Sequence, residues 1–79
     1  MSERKLMDIT HFQSECLVGY SRFADISITE SSRLFEKHNL FEFVKNCYDI
    51  LHLDDIEYVI ENDIAQRIEN DVFYQPTNK

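Results

Sequence analysis

The sequence predicts an all-α protein, a compact bundle of four to five short helices. Its 79 residues include one glycine and one proline, whereas all-β folds use both residues in their many tight turns. Apolar residues recur at intervals of three and four, which is typical of one face of an α-helix. A chain of this length suggests a single domain over residues 1–79, and we expect residues 1–6 and 75–79 to be flexible.

The first predicted helix covers residues 8–23, with Asp8 as its N-cap. Its apolar residues follow spacings of three, four, four and three: Ile9, Phe12, Cys16, Tyr20 and Phe23. Gly19 lies within this helix, where glycine costs up to about 1 kcal/mol relative to alanine. We therefore expect Gly19 to let another helix approach closely.

The second predicted helix covers residues 28–38. Ser27 and Glu30 have the spacing of a capping box, in which each side chain binds the other residue's backbone N–H. Leu34 and Phe35 are expected to point inward. Asn39 is expected to end the helix because asparagine tolerates the left-handed conformation.

The segment over residues 40–52 is the most apolar stretch and is predicted to be the central helix. At 100° per residue its apolar side chains fill a wide arc, which comprises Leu40, Phe43, Val44, Cys47, Ile50 and Leu51. A helix this broadly apolar should touch most of the other helices.

The last third of the chain is either one helix or two. Asp54 and Glu57 form a helix start signal, and an apolar face follows, made of Ile56, Val59 and Ile60. In a continuous α-helix, Ile64 and Ile68 would instead lie on the side of Glu57. We therefore expect a break ahead of a second short helix over residues 64–71.

Charge is distributed unevenly along the chain. Residues 1–46 carry seven acids and six bases, a net charge of −1, while residues 47–79 carry eight acids and two bases, a net charge of −6. An acidic surface repels nucleic acid and attracts a basic protein, although it can also serve only to keep a small protein soluble. The predicted partner contacts are the acids Asp54, Asp55, Glu57, Glu61 and Asp63, with Phe73 and Tyr74 as apolar anchors.

The stretch KNCYDILHLDD raises the possibility of a metal site or a Cys–His nucleophile. On one helix, Cys47 and Asp49 would lie about 160° apart, and Cys47 and His52 about 140° apart. We therefore predict no catalytic residue and no metal site here, with Cys16 and Cys47 in the core. His52 is expected to bind carbonyls at the helix end.

Other classes of site lack their motifs. There is no phosphate-binding glycine loop, no calcium loop and no cysteine quartet for zinc, so we predict no cofactor. No segment has the length of a membrane span or signal peptide, which favours a cytoplasmic protein that does not bind membranes. A homodimer is an alternative assembly, since small domains gain burial by association.

Three blocks of the sequence carry a family resemblance: Leu34–Lys37, Tyr48–His52 and Tyr58–Ile64. Over about residues 9–69 the chain resembles a small bacterial family known as domain of unknown function 3791. Relative to the pattern of that family, Asn62 is inserted, and Asn39 replaces a glycine. The family-like positions Tyr48, Asp49 and His52 are expected to fix the end of the third helix.

The resemblance implies no reaction. Members of the family resemble proteins that accompany other small bacterial genes, and some of those genes look toxin-like. By analogy, the resemblance implies that this chain is an antitoxin or immunity-type partner of a basic protein. We therefore predict a small, acidic, non-enzymatic protein-binding module. The alternatives are a small enzyme or metal-binding protein centred on His52, and a dimeric transcriptional regulator, which would need a contiguous basic face.

Overall fold

A computed structural model describes residues 2–76, and this range contains helices but no strand. The helices are α1 (Glu3–Ala24), α2 (Ile28–Lys37), α3 (Leu40–Asn46), α4 (Tyr48–Leu51), α5 (Ile56–Val59) and α6 (Ala65–Glu69), and a π-helical turn at Ile60–Ile64 joins α5 to α6. If α5, the π-turn and α6 are counted as one continuous run, which we call the C-terminal run, residues 2–76 contain five helices. The predicted all-α fold is confirmed.

Helix α1 begins earlier than its apolar pattern indicates. The Ser2 hydroxyl accepts a hydrogen bond from the Lys5 N–H at 3.2 Å and caps the helix, so the predicted cap Asp8 lies inside α1. Residues 3–6, which we expected to be flexible, are therefore helical. Residues 1 and 77–79 lie outside the described residues.

Helix α1 is also the centre of the bundle, a position that we predicted for residues 40–52. It packs against α2, α3, α5 and the π-turn. Four of its five predicted inward residues are buried, namely Ile9, Phe12, Cys16 and Tyr20, whereas Phe23 is 50% exposed. A 22-residue helix offers more contact length than the short elements around it, which explains why α1 takes the central place.

The segment over residues 40–52 is not one helix, because it divides at Cys47. The backbone there has φ −106° and ψ 12°, and the Cys47 carbonyl accepts hydrogen bonds from both the Ile50 and the Leu51 N–H groups, at 3.0 and 2.9 Å. This tightening changes the direction of the side chains that follow. Leu51 is buried as predicted, whereas Ile50 is 71% exposed.

The boundaries of α2 follow the sequence signals. The Ser27 hydroxyl accepts from the Glu30 N–H at 3.0 Å, although the Glu30 carboxylate pairs with Arg33 at 2.9 Å instead of reaching back to Ser27. Asn39 adopts the left-handed conformation, with φ 57°, and connects α2 to α3. The predicted stop at Asn39 is therefore confirmed.

The π-turn replaces the predicted break in the last third. Its backbone hydrogen bond runs from the Ala65 N–H to the Ile60 carbonyl, five residues back, where an α-helix would reach back four. The additional residue rotates Ile64 and Ile68 towards the core, so that Ile64 is fully buried and Ile68 half-buried. The run begins at Ile56, with Asp55 rather than Asp54 at the N-cap position.

Candidate functional site

Cys47, Asp49 and His52 point to different neighbours. Cys47 is half-buried at the junction of α3 and α4. The Asp49 carboxylate is exposed and pairs with the Lys5 ammonium at 2.9 Å. No group of three His, Cys, Asp or Glu side chains within residues 2–76 is arranged to hold a metal ion. The Asp49 carboxylate and the His52 ring thus have partners other than Cys47, and the single helix predicted for residues 40–52 is not present.

His52 lies flat against its own helix. Its ring stacks on Tyr48, with centroids 4.5 Å apart and planes 9° apart, and its Nδ1 lies 2.7 Å from the Tyr48 carbonyl oxygen. The Tyr48 ring also meets the ring of the buried Phe12 edge-on, with centroids 5.6 Å apart. Two of the family-like positions thus form one stack that joins the end of α4 to α1, which supports a structural role for His52.

Both thiols are held in their protonated form. Burial, followed by the charges of Glu15 and Asp63, raises the pKa of Cys16 to about 12. Burial also raises the pKa of Cys47, and the charge of Asp63 adds to this effect while that of Arg67 opposes it. Since the thiolate is the nucleophile, neither cysteine is activated for covalent chemistry.

The five predicted acidic contacts do not all face solvent. Four of them are exposed, namely Asp54, Asp55, Glu57 and Glu61, whereas Asp63 is half-buried on the π-turn. Burial raises the pKa of Asp63; the Arg67 guanidinium opposes the rise and the Asp54 carboxylate adds to it. Asp63 therefore belongs to the packed side of the C-terminal run more than to its outer surface.

A depression in the described residues, which we call the open groove, runs between α1 and the C-terminal run. Its volume is about 750 Å³. The α1 wall consists of Ser14, Glu15, Val18, Gly19, Arg22 and Phe23, and the opposite wall of Ile56, Glu57, Ile60 and Glu61. Two of the predicted acidic contacts, Glu57 and Glu61, therefore border an apolar depression.

The base of the open groove depends on Gly19. A Cβ atom at this position would overlap the Cδ1 atom of Ile60, so the absence of a side chain lets the π-turn approach α1. The predicted close approach of another helix at Gly19 is confirmed. Phe23, half-exposed at the end of α1, is the aromatic residue of this surface.

A second surface region, which we call the tail corner, is already occupied. Here the segment Val72–Tyr74 returns to the junction of α2 and α3. The Tyr74 N–H donates to the His38 carbonyl at 3.3 Å, and the Asn39 amide donates to the Tyr74 carbonyl at 3.2 Å. Tyr74 also meets the Phe43 ring edge-on at 5.4 Å.

His38 anchors the tail corner. It is only 2% exposed, its Nδ1 lies 3.3 Å from the Val72 carbonyl oxygen, and its ring stacks on Phe73 at 4.7 Å. The predicted apolar anchors Phe73 and Tyr74 thus contact their own chain, and partner contacts by these two residues remain a prediction.

Sequence reasoning missed the contacts of His38 with the tail, the contact of Arg67 with Phe43, and the open groove. The Arg67 guanidinium lies 4.0 Å from the centre of the Phe43 ring, a cation–π contact between residues far apart in the chain. Only the position of His38 at the end of a helix gave a local signal. The groove had one signal, the glycine inside α1, but its second wall depends on the π-turn.

Comparisons with known proteins give one finding. A family model described as "Protein of unknown function (DUF3791)" matches residues 11–71. Neither the curated proteins nor the solved structures include a significant match. Within residues 2–76, no helix combines the length and apolar character needed to cross a membrane.

Proposed function

The chain belongs to the DUF3791 family of proteins of unknown function, and we propose that it is a small, acidic, cytoplasmic protein-binding module without catalytic activity. Its partner is a basic protein, in the relationship that an antitoxin or immunity protein has to its target. The observation that carries this proposal is the open groove, in which apolar surface is bordered by the exposed carboxylates Glu57 and Glu61.

Apolar surface and acidic charge have complementary roles in such a complex. Buried apolar contacts at the centre of an interface supply most of the affinity, and charges around them steer association and select the partner. Asp54 and Asp55 extend the acidic border along the turn that precedes α5. The arrangement suits a basic protein and disfavours the phosphate backbone of a nucleic acid.

A pull-down from the source cell followed by a salt titration tests the proposal. We expect the captured protein to be basic, and its association to weaken as salt approaches about 1 M, where charges are screened beyond about 3 Å. Capture that is indifferent to salt, or the absence of a basic partner, would contradict the proposal.

Charge-reversal variants place the test on the acidic border. The double substitution Glu57→Lys and Glu61→Lys should reduce capture of the partner about tenfold or more. The matched control, Glu36→Lys with Glu42→Lys, changes the net charge by the same amount at exposed positions on α2 and α3. Equal losses in both variants would indicate a general effect of charge rather than a binding surface.

A homodimer is a second candidate assembly, favoured by two exposed apolar side chains near α4. Ile50 is 71% and Leu53 is 76% exposed, and they lie three residues apart, joined by the hydrogen bond from the Leu53 N–H to the Ile50 carbonyl. Sedimentation equilibrium of the purified chain and of Ile50→Ser with Leu53→Ser tests this candidate. A dimer that both proteins form equally would exclude these side chains from the interface.

A further inference from the structure

We infer that the open groove receives an amphipathic α-helix of the partner, with lysine or arginine residues on both sides of an apolar stripe. This inference rests on the proposed function, because it specifies which part of the basic protein is bound. It follows from the length of the groove, from the backbone of its walls and from the distribution of charge around it.

The groove has the length of a short helix. Its α1 wall extends from Ser14 to Phe23, which corresponds to about 13 Å at 1.5 Å per residue. A partner helix lying along this wall would present two to three turns, and its apolar positions would recur at intervals of three and four. The apolar surface that they would meet comes from Val18, Phe23 and Ile56.

The backbone of the walls favours a helix over an extended peptide. Both walls are helical, so their backbone N–H and C=O groups are engaged within their own elements. An extended peptide binds most readily at the free edge of a sheet, where it gains main-chain hydrogen bonds, and residues 2–76 contain no strand. A helix satisfies its own backbone groups and needs only side-chain contacts.

The charges around the groove favour a basic helix. Glutamates occupy both walls, with Glu15 on α1 and Glu57 and Glu61 opposite, against the single cation Arg22. Neither ion pair within the described residues, Lys5–Asp49 or Arg33–Glu30, involves these three glutamates. Like charges four residues apart repel each other on a helix, so cations on both sides of an apolar stripe would relieve Glu57 and Glu61 and also meet Glu15.

Two designed peptides test the inference on the whole chain. The first is an amidated helix of about 14 residues with leucines at helical spacing and lysines on both sides of them; the second has glutamates in place of the lysines. Amide chemical shifts of the labelled protein would be recorded during titration with each. We expect the lysine peptide to shift the amides of Val18, Gly19, Phe23 and Ile60, and the glutamate peptide to leave them unchanged.

Three protein variants and one peptide variant separate binding in this groove from general attraction between opposite charges. Glu57→Lys with Glu61→Lys should weaken the lysine peptide about tenfold, and the control Glu36→Lys with Glu42→Lys should weaken it much less. Phe23→Ser, at a half-exposed position, should weaken binding without unfolding the protein, which the dispersion of the amide spectrum monitors. A lysine peptide with a central proline, which interrupts a helix, should lose most of its affinity.

The outcomes also distinguish the inference from the proposed function. Shifts spread over the surface, equal losses in both charge variants, or full affinity of the proline peptide would overturn the inference. A basic partner that binds in a salt-sensitive manner but contacts a surface other than the open groove would also overturn the inference. It would leave the proposed function intact. If no such partner is captured, the proposed function fails, even if the peptide binds.

Discussion

The tail corner and the open groove are two surface regions of one bundle, and they differ in whether the chain itself covers them. At the tail corner, three consecutive residues of the chain supply backbone hydrogen bonds, a stacked ring and an edge-on ring. The open groove has an aromatic residue, Phe23, and an apolar base, but no segment within residues 2–76 covers it. The comparison shows that the chain covers its apolar surface at the tail corner and leaves apolar surface uncovered in the open groove.

The two regions also differ in whether the chain supplies the positive charge that lies against their apolar surface. In the tail corner the Arg67 guanidinium lies over the Phe43 ring, so the cation belongs to the packing. In the open groove glutamates outnumber the one arginine, and a partner would have to bring the cations. We therefore expect substitutions at the tail corner to change stability, and substitutions of the exposed residues of the groove to change binding.

The largest effect should separate two aromatic residues. Tyr74→Ala should lower the free energy of unfolding by about 2 kcal/mol because it removes contacts to Phe43 and to Asn46. Phe23→Ala, at a half-exposed position in the groove, should cost about 0.5 kcal/mol. Urea denaturation of both variants provides the measurement. Equal losses would mean that the groove is part of the structural core and would remove the contrast between the two regions.

A somewhat smaller effect concerns the base of the groove. Gly19→Ala should lower the free energy of unfolding by about 1–2 kcal/mol because the added methyl group overlaps the Ile60 Cδ1 atom. In an Ile60→Val background that atom is absent, so the same substitution should be neutral or stabilising by up to about 1 kcal/mol.

The double-mutant cycle formed by these four proteins measures the coupling between the two positions. Additive losses would show that Gly19 and Ile60 do not restrict each other. In that case the close approach of the π-turn to α1 would not depend on the glycine.

The smallest effect concerns Asp63. This residue lies on the π-turn, between the groove residues of α5 and Arg67 on α6. Burial raises its pKa in the folded protein, so the folded state holds the proton more tightly than the unfolded chain. The stability that this residue contributes is therefore present at low pH and is lost as pH rises above about 4 and through the folded pKa. Relative to Asp63→Asn, the wild type should lose about 0.5 kcal/mol or less, since the site is only half-buried.

Urea denaturation of both proteins at several pH values between about 4 and about 7 checks this sign. The exposed Glu61→Gln serves as the control for removing one carboxylate. A wild type that gains stability relative to Asp63→Asn over this range would show that its carboxylate is favourably paired in the folded state, through Arg67.

Local patterns predicted the helices well where the periodicity was long and regular. The apolar face of α1 from Ile9 to Tyr20 is buried as its spacing indicates, and the stop at Asn39 follows from a property of one residue. The predicted start of α1, at Asp8, was wrong because Ser2 caps a first turn that carries no apolar periodicity. The prediction that Phe23 lies on the buried face was wrong. Spacing alone does not reveal that no element covers that end of the helix.

The candidate site was less predictable because it depends on contacts between distant residues. Glu57 and Glu61 were identified from charge, but their place beside an apolar groove depends on the approach of Ile60 to Gly19. The break at Cys47 and the return of the tail to His38 likewise arise from tertiary packing, which a periodicity argument does not contain. Whether Glu57, Glu61, Phe73 and Tyr74 contact a partner remains a prediction.

The π-turn suggests how this chain accommodates a change in its length. It contains Asn62, the residue that the family resemblance predicts to be an insertion, and a turn closed over five residues takes up one residue more than a regular helix would. A shorter relative could therefore place the equivalents of Ile56 and Ile68 on the same side with an uninterrupted helix. An insertion at Asn62 would therefore leave Ile64 and Ile68 on the inner side of the protein, and the additional residue would lie at an exposed position next to the surface that we propose for recognition.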